Sequence, residues 1–213
     1  MVRAYSSALR AEQTALSRRR ILDAAGALFV ERGYLGTTLA AVAAAAHVSV
    51  QTVYNVVGGK AQLLKAIYDV VLAGDDEPAP MADRPIARAV VEATDGRHCL
   101  TRYAVMGRVL GERTLPLVSM LLAQAATGDA DLAAFAETIE GERAIATAGV
   151  ARHVAERFGL RPGLDIGQAA DLLWALTSPD LADRLVRRRG WGWDRFQEWL
   201  GTVMADALLG PAP

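Results

Sequence analysis

The chain has 213 residues, room for one large or two small domains, and its 52 % hydrophobic residues exclude wholesale disorder. The sole cysteine, Cys99, cannot form an internal disulfide. The sequence shows neither a signal peptide nor an uncharged apolar stretch of membrane-spanning length. We therefore expect a cytoplasmic protein without a membrane span. The net charge of −1 divides unevenly, because residues 1–60 contain seven basic and three acidic residues whereas residues 61–213 contain 16 basic and 21 acidic ones. This asymmetry favours a polyanion partner for the first part only.

Apolar residues recur with helical spacing along most of the chain after residue 17. Residues 1–17 lack a firm apolar face and are interpreted as an N-terminal arm. A first helix follows and stops at Gly33, and a second begins at Thr37 or Thr38. After a short turn at residues 47–49, a third helix is predicted from Ser49 to about Val57, and Gly58 with Gly59 separates it from a fourth.

A linker is predicted at residues 75–80, because two prolines within three residues do not fit inside a helix. Beyond it the pattern predicts helices only, with Pro116 and Pro179 in first turns, where proline is accepted. The predicted ranges are 84–95, 98–112, 115–127, 130–158, 165–176, 179–189 and 194–209. We therefore expect an all-α protein with an N-terminal three-helix helix-turn-helix domain and a C-terminal helical domain.

The segment from Thr38 to Lys60 has the composition of a helix-turn-helix. Its two short helices meet through small residues, which lets them cross steeply and project the second helix into a major groove. Polar and methyl-bearing side chains on that helix suit base edges and phosphates, and Lys60 suits a phosphate at a helix N-terminus. The predicted DNA-binding residues are Thr37, Thr38, Ser49, Val50, Gln51, Thr52, Tyr54, Asn55 and Lys60.

Residues 18–67 resemble the TetR family of bacterial repressors. The resemblance runs without gaps through residues 20–49, the TVY of residues 52–54 and the KAQLLKAI of residues 60–67. It includes the Gly33-Tyr34 pair at the end of the first helix and the Thr37-Thr38 pair that starts the second. Val57 replaces the usual Phe, and His47 occupies a turn position that often has Gly, where a left-handed backbone is expected. Val50 and Gln51 also differ from the commonest residues, so the operator sequence cannot be borrowed from a relative.

The predicted domains are an arm at 1–17, a DNA-binding domain at 18–62 and a regulatory and dimerisation domain at 63–213. The resemblance implies that the part of this last domain from residue 70 onward is all-helical. It further implies a homodimer that binds an inverted-repeat operator and is released by a small-molecule effector. Apolar stripes on the last helices are compatible with a two-fold helical bundle, although packing within one subunit remains the alternative. The interface candidates are Leu172, Leu173, Leu176, Phe196, Trp199, Leu200, Val203 and Met204.

Effector-pocket candidates are the adaptable apolar residues of the middle helices, which an ordinary core would use as well. They are Tyr103, Met106, Met120, Phe135 and Trp174. His98 beside Cys99 falls short of a metal ligand set, and no cofactor or metal is predicted. Two alternatives remain. One is a dimeric DNA-binding regulator without a ligand. The other is an all-helical enzyme with a spatially assembled site, which is less favoured because the sequence has no local catalytic arrangement.

Overall fold

The structure is a computed structural model that describes residues 2–124 and 127–211, with side chains from residue 12 onward in these ranges. Every regular element within them is helical, which confirms the all-α prediction. The helices are α1 (Val2–Gly36), α2 (Leu39–Ala45), α3 (Val50–Val56), α4 (Lys60–Ala73), α5 (Pro85–Val91), α6 (Gly96–Gln124), α7 (Ala130–Phe158), α8 (Ile166–Leu176), α9 (Pro179–Ala182) and α10 (Trp193–Leu209), with a 3₁₀ turn at Met81–Asp83.

The chain divides into two compact units that are interleaved in sequence. The head unit comprises the residues up to Asp76 together with Pro116–Phe135, and the second unit comprises Glu77–Leu115 and the residues from Ala136 onward. The predicted domains are contiguous in sequence instead, and their boundaries stay a prediction. No single helix of the described ranges has the length and apolar character to cross a membrane; α2 and α3 would reach that length only as a pair, bent by 98°.

The head unit is built on the predicted apolar face of α1. Ile21, Ala25 and Phe29 are fully buried and pack where α2, α3 and α4 converge on this helix. The helical path of α1 is interrupted at Gly33, whose φ of 76° is in the left-handed region that glycine tolerates. The predicted stop at Gly33 is therefore confirmed as a break, after which one further turn leads to α2.

The second unit packs α6, α7, α8 and α10 around one core. Leu100 of α6, Val154 of α7, Leu173 of α8 and Met204 of α10 are all fully buried in it. Gly201 brings α10 close to α6, since a Cβ placed there would lie 3.4 Å from that of Ala104. Small residues at this crossing allow the two backbones to approach closely.

Two helix predictions for the later part of the chain are wrong. Residues 96–124 form one helix rather than two, and Pro116 lies inside it. Proline there removes one intrahelical hydrogen bond, but the following Leu117 and Val118 are buried, and their packing keeps the helix continuous. The predicted helix 179–189 instead changes to a π-helical turn over Asp183–Arg188. Buried Asp183 accepts hydrogen bonds from Arg187 and Arg188 there.

Candidate nucleic-acid interface

Helices α2 and α3 form a steep helix pair in the head unit. Their axes are bent by 98° at the connecting turn, within the range typical of helix-turn-helix modules. His47 in this turn has a φ of 55°, which confirms the predicted left-handed backbone, and Val48 N donates to Ala43 O at 3.0 Å just after it. The turn is thus held by backbone bonds although it lacks the glycine that this conformation favours.

Helix α3 divides cleanly into a buried face and an exposed face. Val53 is fully buried against the head core, whereas Val50 is 39 % and Tyr54 52 % exposed. Gln51 and Asn55 are also exposed, and Gln51 Nε2 donates to Asn55 Oδ1 at 2.9 Å. This face offers two amides, a phenol and an aliphatic methyl pair, the groups that read base edges and thymine methyls.

The predicted hydroxyl contacts have different positions. Thr38 Oγ1 caps α2 by accepting from Ala41 N at 3.1 Å, and Ser49 Oγ caps α3 by accepting from Thr52 N at 3.0 Å. Ser49 Oγ also lies 2.8 Å from Thr52 Oγ1. These three residues lie on the exposed side of the pair, so they stay candidates for contact with a phosphate.

Thr37 is not a surface residue, contrary to its prediction as a DNA contact. It is 1 % exposed, and its hydroxyl donates to Leu28 O at 3.1 Å and to Gly33 O at 2.8 Å. The side chain therefore stabilises the end of α1 from within the head core. A Thr-Thr pair at a helix start contains one cap, and here the cap is Thr38.

Lys60 lies at the start of α4, beside the same end of α1. Its Nζ is 4.2 Å from the centroid of the Tyr34 ring, a cation–π contact. Partial burial lowers the pKa of Lys60, while Asp129 and Asp131 act in the opposite direction. The ammonium thus lies over an aromatic face and feels the charge of two acidic residues, and Lys60 remains half-buried.

Tyr34 connects this corner to the Pro116–Phe135 segment of the head unit. Its hydroxyl donates to Asp131 Oδ2 at 2.8 Å, and its amide donates to Met120 Sδ at 3.4 Å. Burial, followed by the bond to Asp131, raises the pKa of Tyr34. Gly33 leaves room for the Gln124 side chain, whose amide would have to move if a Cβ were placed there, 1.9 Å from Gln124 Nε2. Asp131 and Gln124 could not be predicted from the sequence, because about 90 residues separate them from their partners on α1 and no local pattern marks them.

The five pocket candidates are not gathered in one compact unit. Met120 and Phe135 belong to the head unit, where Phe135 packs edge-on against Tyr68 at 5.6 Å between ring centroids. Tyr103, Met106 and Trp174 belong to the second unit. Tyr103 is buried there, which raises its pKa, and Met106 packs against the same core.

Trp174 faces solvent rather than the interior. The residue is 40 % exposed, and its ring lies beneath the Arg143 guanidinium, whose Cζ is 5.4 Å from the ring centroid. Arg143 also donates to the Trp174 backbone oxygen at 2.5 Å and pairs with Glu140. This arrangement covers one face of the indole with charge and fastens α8 to α7.

The interface candidates separate into core and surface residues. Four of them are buried within the second unit of a single chain and form its own core: Leu173, Phe196, Leu200 and Met204. These four have almost no surface to offer a partner, so the core interpretation is favoured for them. Four others are half-buried and retain exposed surface: Leu172, Leu176, Trp199 and Val203.

The isolated histidine and cysteine residues have local partners or are buried. His98 Nε2 accepts from Arg102 Nε at 3.0 Å, and burial raises the pKa of the Cys99 thiol to about 11. Across residues 2–124 and 127–211 no three His, Cys, Asp or Glu side chains converge as metal ligands would.

A protein-family model matches part of the head unit. Residues 21–67 match the family model of bacterial regulatory proteins, tetR family. No protein of curated function matches the chain in sequence.

Solved structures share the fold over nearly the whole chain. A Rhodococcus sp. protein assigned to the TetR-family transcriptional regulators is 17 % identical, with 91 % of this chain and 99 % of that one covered and a TM-score of 0.68. A SmeT–triclosan complex is 20 % identical, with coverage of 92 % and 98 % and a TM-score of 0.69. AibR in complex with isovaleryl coenzyme A and operator DNA is 21 % identical, with coverage of 92 % and 100 % and a TM-score of 0.57.

The steep α2–α3 pair with its exposed polar face defines a helix-turn-helix protein. The sequence match at residues 21–67 and the shared fold confirm the resemblance inferred from the sequence: the chain has the fold of a TetR-family transcriptional regulator.

Proposed function

We propose that this protein is a transcriptional repressor that binds an inverted-repeat operator as a homodimer and is released by a small-molecule effector. The observation that carries the DNA-binding part is the exposed face of α3, where Val50, Gln51, Tyr54 and Asn55 project from a helix held at 98° to its partner. Two such helices related by a two-fold axis would enter successive major grooves roughly 34–36 Å apart. This function would be carried out in the cytoplasm, where the bacterial chromosome lies.

Base reading and phosphate binding fall on different residues and can be separated by experiment. Gln51 and Asn55 are assigned to base edges, whereas Tyr54 and Lys60 are assigned to phosphates. Gln51→Ala should cost about 1–3 kcal/mol of specific binding and relax the preference at two positions of each half-site, because Asn55 loses its hydrogen-bond partner. Lys60→Ala should weaken specific and non-specific binding alike and lower the salt slope by about 0.9 per protomer.

The test is selection of bound sequences from a random DNA pool, followed by footprinting and affinity measurements over a salt series. Arg152→Ala provides the control, because Arg152 is an exposed cation of the second unit. The proposal requires enrichment of an inverted repeat and full binding by this control variant. Failure to enrich any inverted repeat, with an affinity independent of salt, would exclude DNA binding as the function.

The effector part is supported by two proteins of the same fold, one bound to triclosan and one to isovaleryl coenzyme A and operator DNA. An effector can release DNA only if it binds the DNA-free conformation more tightly than the DNA-bound one. Thermal shift with an acyl-coenzyme A panel and a panel of apolar phenols should therefore reveal compounds that raise the melting temperature and lower DNA affinity. At 100 times its Kd such a compound contributes about 2.7 kcal/mol of stability.

The second candidate is a dimeric DNA-binding regulator that has no effector. It is favoured by the exposed position of Trp174, a pocket candidate that lies at the surface of the second unit. Stabilisation by some compound together with unchanged DNA affinity, or no stabilisation by either panel, would support this candidate over the ligand-responsive repressor.

A further inference from the structure

The positive charge of the first 60 residues lies almost entirely ahead of the helix-turn-helix. Residues 21–60 hold two basic residues, Arg32 and Lys60, and two acidic ones, Asp23 and Glu31. Residues 38–59, which include α2 and α3, contain no charged residue at all. Residues 2–20, by contrast, hold five arginines and a single glutamate, Glu12. Residues 21–60 are thus electrically neutral, and Lys65 brings the module matched to the family to a net charge of only +1, although phosphate neutralisation supplies a large share of DNA affinity.

These basic residues belong to a helical extension of α1. The helix begins at Val2, whereas the family match begins at residue 21, and Ile21 is the first fully buried side chain among those the structure describes. Residues 2–20 would extend over about 28 Å at the usual helical rise. Side chains 12–16 are all exposed, including Leu16 at 55 %, so they add little to the core of the head unit.

The last three arginines of the extension differ in their surroundings. Arg18 pairs with Asp76 at 3.2 Å and ties the extension to the segment that follows α4. Arg19 and Arg20 are exposed, and the described side chains offer them no ion pair. Arg18 therefore contacts the rest of the head unit at the C-terminal end of the extension, while Arg19 and Arg20 face solvent.

We propose that residues 2–20 are a second DNA-binding element, a basic helix that contacts the phosphate backbone beside the major groove occupied by α3. This inference rests on the proposed function and deepens it. DNA is favoured as the polyanion because the extension is continuous with α1, the helix on which α2 and α3 pack. A basic helix can also bind an anionic membrane surface, and the test separates the two partners.

The test compares two charge-matched variants of the full chain. The triple substitution R10Q/R19Q/R20Q removes three cations from the extension, and R88Q/R152Q/R189Q removes three exposed arginines from the second unit. Affinity for the selected operator and for an unrelated duplex is measured from 50 to 300 mM salt. Removing one cation–phosphate pair should reduce the salt slope by about 0.9, so a dimer should show a slope smaller by roughly 2 to 5 with the first variant and almost unchanged with the second.

A charge-retaining variant, R10K/R19K/R20K, should keep the slope, because phosphate contacts depend on the cation more than on its shape. An unchanged slope for R10Q/R19Q/R20Q, with operator binding by the unaltered chain intact, would overturn the inference alone. Loss of binding to phosphatidylserine vesicles with unchanged DNA binding would assign the extension to a membrane and also overturn it. Failure of the unaltered chain to bind any duplex in a salt-dependent manner would remove the proposed function and this inference together.

Discussion

Replacement of Thr37 by valine tests whether this residue belongs to the core of the head unit or to its DNA-contacting surface. Valine keeps the shape of threonine, so the change removes only a hydroxyl that is shared between Leu28 O and Gly33 O. Leaving buried carbonyls without that donor should cost about 1–2 kcal/mol of unfolding free energy. For a chain of this size the melting temperature should fall by about 2–8 °C.

Circular dichroism melts would measure the destabilisation, and DNA affinity would be measured over the same salt series for the folded variant. Thr37→Ser serves as the control, because it retains the donor and should keep most of the stability. The salt slope should be unchanged in both variants, since neither side chain reaches a phosphate. A Thr37→Val protein that melts normally but whose salt slope falls by about one unit per protomer would refute this reasoning and restore Thr37 as a DNA contact.

Three further predictions follow from single residues. His47→Gly should stabilise the head unit by about 0.5–1 kcal/mol in urea unfolding, because glycine adopts the φ of 55° without strain and offsets its greater chain entropy; a decrease in stability would mean that the imidazole itself is needed. Cys99 should resist Ellman's reagent at pH 8 until the protein unfolds, because burial raises its pKa to about 11; rapid labelling of the folded chain would contradict that burial. Burial, followed by the bond to Asp131, raises the pKa of Tyr34, so this residue contributes stability that is complete below about pH 10 and is lost as the pH rises further; Tyr34→Phe should make the decline above about pH 10 shallower, and an equally steep decline would assign it to other groups.

Local patterns in the sequence were sufficient for the helix-turn-helix. The apolar spacing of α1, the break at Gly33 and the left-handed turn at His47 all follow from rules that act within a few residues. The exposed face of α3 could be inferred because Val53 fixes which side of this short helix is buried.

The sequence failed where tertiary contacts decide. Thr37 and Thr38 are equivalent by pattern, and only the packing of α1 determines that one is core and the other a cap. Pro116 normally marks a helix start, but burial of the next two residues keeps α6 continuous through it. The bond from Tyr34 to Asp131 joins residues 97 positions apart, a separation at which periodicity carries no information.

The hydrogen bond between Gln51 and Asn55 has a consequence for how operators can evolve. The two amides lie one helical turn apart, and Gln51 Nε2 donates to Asn55 Oδ1. The bond therefore orients both side chains and leaves Gln51 Oε1 and Asn55 Nδ2 to pair with bases. A substitution at either position would release the other side chain to rotate, so the preferred bases at two operator positions should change together. In regulators of this type, a substitution at Gln51 or Asn55 would then need base changes at two operator positions, and a change in the protein or the operator alone would weaken binding.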